Sequence, residues 1–218
     1  MEFGSAFSLP FKDSDWFKKM ILNGLIMLIP VIGGMVLFGW ALEIARRTLK
    51  DEPYPPLPDL DFGGQLAKGF QGFIISLVYA LPIIILSIPI QIVPFLGSAL
   101  ELDADTLNYA VIAVSVCCGG INLIYAILMG FMLPAALGRF LDLGSMGAAF
   151  KIGEVFSLVR AAPVAFLLVI IGNLVAGIIS SLGTIVCIVG VLITAPFAMA
   201  IMGNLYGQAY KQAALAKR

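Results

Sequence analysis

No histidine occurs anywhere in the chain, and no aspartate, glutamate, lysine or arginine falls within four long stretches, Met20–Leu42, Gly69–Leu100, Thr106–Gly138 and Ala161–Tyr210. The first absence removes the usual proton carrier and metal ligand at neutral pH. The second removes the buried acids that proton relays and intramembrane aspartyl proteases need. Ser76, Ser87, Ser115, Ser157, Ser180 and Ser181 are left as nucleophiles without a histidine, or a lysine at bilayer depth, to activate them. Cysteine is scarce: Cys117, Cys118 and Cys187 all lie in apolar runs, where a thiol packs as a small hydrophobe; redox or lipid modification is the alternative. Their spacing fits no zinc site. A cleavable signal is also missing, because Met1–Ser8 has no basic stretch leading directly into an apolar one, so these residues are expected in the mature protein. No cofactor fingerprint is present, and no enzyme activity is expected.

What the chain does have is apolar surface. Hydrophobic residues make up 61% and charged ones 12%, against about 25% charged in an average soluble domain. A helix needs about 20 apolar residues to cross the hydrocarbon layer, so the four runs hold four to six crossings. The expected fold is all-α: a polytopic integral membrane protein, residues 1–218 forming one membrane domain. Thirteen basic residues balance thirteen acidic ones, which gives nucleic acid no attraction and leaves membrane lipids as the certain surroundings.

Basic residues near membrane ends stay cytoplasmic. Here they gather at Lys12, Lys18 and Lys19; Arg46, Arg47 and Lys50; Lys68; Arg139, Lys151 and Arg160; and Lys211, Lys217 and Arg218. The loop around Glu101, Asp103 and Asp105 (98–106) holds only acids and is expected outside. Both termini are then cytoplasmic, in a multi-pass protein of the cell (inner) membrane. The first run is basic at both ends, which favours two short passes turning at Pro30-Val31-Ile32-Gly33-Gly34. Each arm has about 14 residues, roughly 21 Å, so this hairpin is short or re-entrant.

An internal echo supports a hairpin plan. Gly72–Pro82 matches Gly153–Pro163 at a constant offset of 81, and the same offset sets Asp61-Phe62-Gly63 on Asp142-Leu143-Gly144. Both copies read as an Asp-x-Gly start, an interfacial stretch and a proline heading a membrane helix. Ile29–Gly33, Val93–Gly97 and Val186–Gly190 echo one another as far-end turns. The expectation is about six helices in three helical hairpins, 16–49, 62–141 and 145–213, with a cytoplasmic proline-rich loop at 50–61. Interfacial amphipathic helices are expected where Phe62, Leu66, Phe70 and Phe73 alternate with Gln65, Lys68 and Gln71, and where Ile152, Val155, Phe156 and Val159 face Lys151, Glu154 and Arg160. They serve as lead-ins to the next crossing or as docking helices.

Within the runs the deepest polar residues are amides, Asn122 and Asn173, with Asn23 and Gln91 nearer the ends. They act as interhelical hydrogen-bond partners or, facing one cavity, as a polar pathway. Small residues at Gly172, Ala176 and Ser180, at Gly203 and Gly207, and at Gly119-Gly120 and Gly33-Gly34 allow helices to approach closely, within the chain or between copies. Asp13 or Ser14 is expected to cap the first helix, with Trp16, Lys18, Lys19, Arg46 and Arg47 anchoring at the headgroups. Glu52–Pro58 reads as a stiff connector or a polyproline ligand.

The stretches Phe11-Lys12-Asp13-Ser14-Asp15-Trp16-Phe17-Lys18-Lys19, Ile29–Gly33, Gly39–Arg47 and Leu57-Pro58-Asp59-Leu60-Asp61-Phe62-Gly63 resemble the prokaryotic membrane proteins grouped as domain-of-unknown-function family 4013. Ser14 departs from the proline usual in the opening motif. The resemblance implies a bacterial or archaeal cell membrane and carries no catalytic residue with it. The functional expectation is a structural or assembly component that packs as a homo-oligomer or against another membrane protein. A channel or facilitator with an uncharged pathway past Asn122 and Asn173 is the alternative. A lipid-acting enzyme comes third, with Glu43, Arg46, Arg47 and Asp142 as its candidates.

Overall fold

The computed structural model describes residues 2–52 and 57–217, without the side chains of 186–189. The expectations for Pro53, Tyr54, Pro55 and Pro56 and for the Cys187 thiol lie outside the described residues. The Val186–Gly190 echo, expected as a turn, instead ends the 3-10 turn Gly183–Val186 and opens the helix Cys187–Ala216. Among those described, all regular structure is helical. α1 (Phe3–Ser8) and a 3-10 turn at Pro10–Lys12 lead into α2 (Trp16–Ile26) and α3 (Ile32–Leu49). The long α4 (Phe62–Ala99) and α5 (Ala104–Leu143) follow, then the short α6 (Met146–Ala149) and α7 (Ile152–Ala161), and finally α8 (Pro163–Leu182) and α9 (Cys187–Ala216). Four segments are long and apolar enough to cross a membrane: Phe62–Ala99, Ala104–Leu143, Pro163–Ile185 and Gly190–Ala216. The protein is therefore multi-pass in character. At 1.5 Å per residue α2 and α3 extend about 16 and 27 Å, short of the roughly 30 Å hydrocarbon layer.

The chain divides into two compact units, Met1–Ile75 with Phe131–Arg218, and Ser76–Gly130. In the first, α9 is the common neighbour of α8, α3, α2, α1 and α7. α3 buries Val36, Leu37, Trp40, Ala41, Ile44 and Ala45, the three-and-four spacing of a helix with one inward face. Trp40, Leu37 and Ile44 join Met20 of α2, Ala200 of α9 and Leu57 of the loop in one cluster.

Helix backbones touch where glycine removes the side chain. A Cβ on Gly203 would strike the Ala41 carbonyl, and one on Gly207 the Ala45 carbonyl, so the Gly203/Gly207 face of α9 lies on α3. Gly172 meets the Leu205 side chain, Ala176 is buried, and the Ser180 carbonyl accepts the Thr194 hydroxyl at 3.2 Å. These two of the four predicted small-residue sets are thus occupied within the chain.

The second unit is the far part of α4 and α5 with the link between them. α4 continues to Ala99 through Pro89 and Pro94. The turn lies at residues 100–103, where Glu101 takes a φ of 52° and the Leu102 N–H donates to the Gly97 carbonyl at 3.0 Å. Asp103 Oδ1 accepts the Thr106 N–H at 2.9 Å and starts α5. Val93–Gly97, expected to turn the chain, is helix instead: its proline forfeits one hydrogen bond, a loss a long apolar helix absorbs.

The offset-81 copies differ in role. Pro163 opens α8 after a break at Ala162 (φ −141°, ψ 61°), whereas Pro82 sits inside the unbroken α4. The stretch from Phe62 to Phe73, expected as a separate interfacial helix, is therefore the first part of α4. Asp61 precedes α4 and accepts the Gly64 N–H at 3.1 Å. Asp142 instead lies in the last turn of α5, which ends at Gly144 with a φ of +66°. One Asp-x-Gly starts a helix and the other stops one.

Candidate functional site

Polar chemistry in the first unit concentrates where the starts of α2 and α4 meet the middle of α3, and three consecutive backbone carbonyls are captured there by three side chains from three helices. Lys19 Nζ of α2 donates to the Leu57 carbonyl at 2.8 Å. Trp40 Nε1 of α3 donates to the Pro58 carbonyl at 2.9 Å. Gln65 Nε2 of α4 donates to the Asp59 carbonyl at 2.8 Å. A loop carbonyl buried without a donor is costly, so these contacts make it possible for Leu57 to enter the core. Lys19 also pairs with Asp13 at 2.9 Å and with Asp59 at 3.2 Å. Asp13 in turn accepts the Asp15 N–H at 2.9 Å and the Leu57 N–H at 3.3 Å. Burial pushes the Asp13 carboxyl upward, and its hydrogen bonds to Lys19, Asp15 and Leu57 outweigh that and hold it below its ordinary value.

Two sequence-based roles change here. Asp13 does not cap α2, whose N-cap Asp15 makes no side-chain cap bond; its carboxylate is occupied with Lys19 and the loop. Lys19, expected at the headgroups, is 7% exposed, because a partnered ammonium inside the fold satisfies Asp13 and Leu57 together. Lys18 is exposed, and Trp16 is half-buried with its ring edge-on to Phe11 at 5.1 Å.

Beside this clamp, Glu43 is surrounded by cations. Arg46 reaches it at 2.7 Å, Arg47 at 3.6 Å, and Lys68 of α4 pairs with it directly. Arg46 also pairs with Glu52 at 2.5 Å. Burial raises the Glu43 pKa, but Arg46 and Lys68 bring it down to about 2. Hydrogen bonding to Glu43 likewise pushes Arg46 up. A carboxylate held near 2 is a poor proton acceptor at neutral pH, and three cations already occupy its oxygens. Asp142, grouped with these residues on sequence grounds, has a different partner, the Tyr210 hydroxyl at 2.9 Å. Arg139, three residues earlier on α5, is buried, donates to the Ala148 carbonyl at 3.1 Å and pairs with Glu154 of α7. That pairing fixes α7, which buries Val155 and Leu158 and leaves Ile152 and Phe156 outside.

The two deep amides belong to different units. Asn122 Nδ2 donates to Ser87 Oγ at 3.3 Å within the second, and Asn173 Nδ2 to the Tyr206 hydroxyl at 3.2 Å within the first. Each keeps a buried Oδ1 without a hydrogen-bond partner.

Sequence reasoning passed over a third pair, Asn204 and Gln208, one turn apart on α9. Asn204 Nδ2 donates to Thr48 Oγ1 at 3.0 Å, while Gln208 Nε2 donates to Asn204 Oδ1 at 2.5 Å and to Ser5 Oγ at 3.1 Å. Gln208 Oε1 accepts the Glu2 backbone N–H at 2.8 Å. Their i, i+4 spacing inside a charge-free run was the available signal. This ladder borders a cavity of about 710 Å³. A smaller one, about 150 Å³, lies between Glu43, Lys68 and the loop at Pro58–Asp59. Among the described residues no group of three or more Cys, Asp or Glu side chains is placed to hold a metal ion.

Compared with known proteins, residues 22–205 match the family described as protein of unknown function (DUF4013). No curated protein and no solved structure matches the chain.

Proposed function

The chain belongs to the DUF4013 family, and from its own geometry we propose that it is a non-enzymatic assembly component of a prokaryotic inner membrane. It is built as three helical hairpins with both termini in the cytoplasm, and it holds a second copy or another membrane protein through the hairpin Ser76–Gly130. The observation that carries this reading is the contrast in burial between the spans. In the most apolar window of α9, 56% of residues are buried inside the fold, against 11% for α4 and 0% for α5. α9 is consumed by its own chain, and α4 and α5 are left open. On α5, Gly119 and Gly120 have empty space around them, flanked by the exposed Val116, Ile121, Leu123 and Ile124. Van der Waals contact at small residues is what joins helices in lipid.

The basic clusters near Lys18, Arg46, Arg139 and Lys211 support the cytoplasmic placement of both termini. The facilitator reading has less support, since Asn122 and Asn173 each bond to a neighbour in their own unit. Native mass spectrometry of the protein with its lipid annulus tests the assembly role. The wild type is expected as an oligomer or with a stoichiometric membrane partner. Gly119→Leu with Gly120→Leu, which fills open space, is expected to keep the melting temperature and lose that association. A lone wild-type chain carrying lipid alone, or an association indifferent to both substitutions, overturns the proposal.

A further inference from the structure

The 710 Å³ cavity lies within the first unit, between α1, the end of α3 and the last turns of α9, and it stands independently of the assembly role. Its size is that of a small-molecule site. Asn204 lies seven residues before Lys211, about 10 Å along the helix, so the cavity runs from the charged ends of the helices down to an amide floor. The Thr48, Asn204, Gln208 and Ser5 ladder holds that floor and also fixes the backbone of Glu2 beside it.

The charges on its walls balance: Lys12, Arg47 and Lys211 against Glu2, Asp51 and Glu52. Most are already matched. Lys211 pairs with Asp51, Glu52 with Arg46, and Arg47 with Glu43. Among the described residues, the Lys12 ammonium and the Glu2 carboxylate have no ion-pair partner, and both are exposed. One unpaired cation and one unpaired anion on the lining of the same cavity fit a ligand that carries both signs. An inorganic anion would leave Glu2 unmatched and bring it a like charge, and a metal cation would do the same to Lys12. No aromatic residue lines the cavity, so it lacks the ring faces that hold quaternary ammonium groups and suits a primary ammonium, which donates hydrogen bonds to a carboxylate.

We propose that this cavity binds a phosphate ester bearing a primary ammonium, that is phosphoethanolamine chemistry, with Lys12 at the phosphate and Glu2 at the ammonium. The ligand is either the headgroup of a membrane lipid or a soluble ester, since both present these groups. The test uses the full-length protein in detergent micelles, with melting temperature and binding by calorimetry as readouts. The probes are glycerophosphoethanolamine, dioleoyl phosphatidylethanolamine, the matching phosphatidylcholine and phosphatidylglycerol, and inorganic phosphate. Saturable binding of an ethanolamine probe, with the other three at least about tenfold weaker, is the expected result. Lys12→Ala and Glu2→Gln, both at exposed positions, are each expected to weaken it about tenfold, the scale of one lost charge-assisted hydrogen bond. Equal binding of the soluble ester and the lipid identifies a soluble ligand, and binding of the lipid alone identifies a headgroup site. Binding of phosphate or phosphatidylglycerol as tight as that of the ethanolamine probes, no binding of either ethanolamine probe, or binding untouched by both substitutions overturns the proposal.

Discussion

Lys19 and Leu57 stand 38 positions apart in the chain, yet the Lys19 ammonium donates to the Leu57 carbonyl at 2.8 Å inside the fold. The contact ties α2 to the end of the proline-rich loop. It works because Asp13, whose side chain is 1% exposed, neutralises the buried charge.

Removing one partner of that pair strands the other. Lys19→Met is expected to destabilise the protein by about 3–5 kcal/mol, the range for an orphaned buried charge. Adding Asp13→Asn to Lys19→Met is expected to recover part of the loss, so the two changes are strongly non-additive in a double-mutant cycle. Thermal denaturation of the two single variants and the double variant in detergent measures this. Additive losses would mean that the pair does not act as a unit.

Gly39 of α3 and Gly69 of α4 lie backbone to backbone. A Cβ on Gly39 would run into the Gln65 carbonyl, and one on Gly69 into the Met35 carbonyl. Gly39→Ala or Gly69→Ala is expected to force the helices apart and to lower stability by several kcal/mol, the scale of overpacking or beyond. Gly34→Ala, five residues before Gly39 with nothing near it, is the control; it is expected to be neutral or to stabilise by up to about 1 kcal/mol through helix propensity. Comparing melting temperatures of the three variants decides it.

Glu43 links stability to pH. Its pKa falls from 4.5 to about 2 on folding, so the folded protein holds the carboxylate ionised where the unfolded chain takes up a proton. The stabilisation is complete above pH 4.5 and fades as the pH drops towards 2. Asp13, also lowered, adds to the same trend. Glu43→Gln is expected to flatten the acid limb of melting temperature against pH and to lower the plateau at neutral pH. An unchanged acid limb would show that Glu43 does not drive it.

Some of this was legible beforehand. The charge-free runs located the apolar spans because an uncharged stretch of that length has one comfortable solvent, and their residues needed no tertiary partner to reveal it. Helix ends marked by local chemistry were readable as well, such as Pro163 opening α8. The break at Ala162 and the continuity through Pro82 were not, since the same tripeptide, Ala-x-Pro, begins a helix in one place and passes through one in the other. Gly203 and Gly207 could be recognised as a packing face, but whether α3 or a second copy filled it is a matter of which helices meet.

By itself the sequence determined the class of solvent, the helical character and the family, because these depend on composition, on runs and on motifs read in order. Tertiary structure alone decided which charges are inside. Lys19 and Arg139 look like any other basic residue near a membrane end, and Asn204 and Gln208 like any other amide. Each acquires its role from a partner far away in the chain: Leu57 for Lys19, Glu154 for Arg139, Thr48 for Asn204 and Glu2 for Gln208. A buried charge or amide is tolerated only where its partner arrives, and that meeting is made by the packing of separate elements rather than by any local pattern.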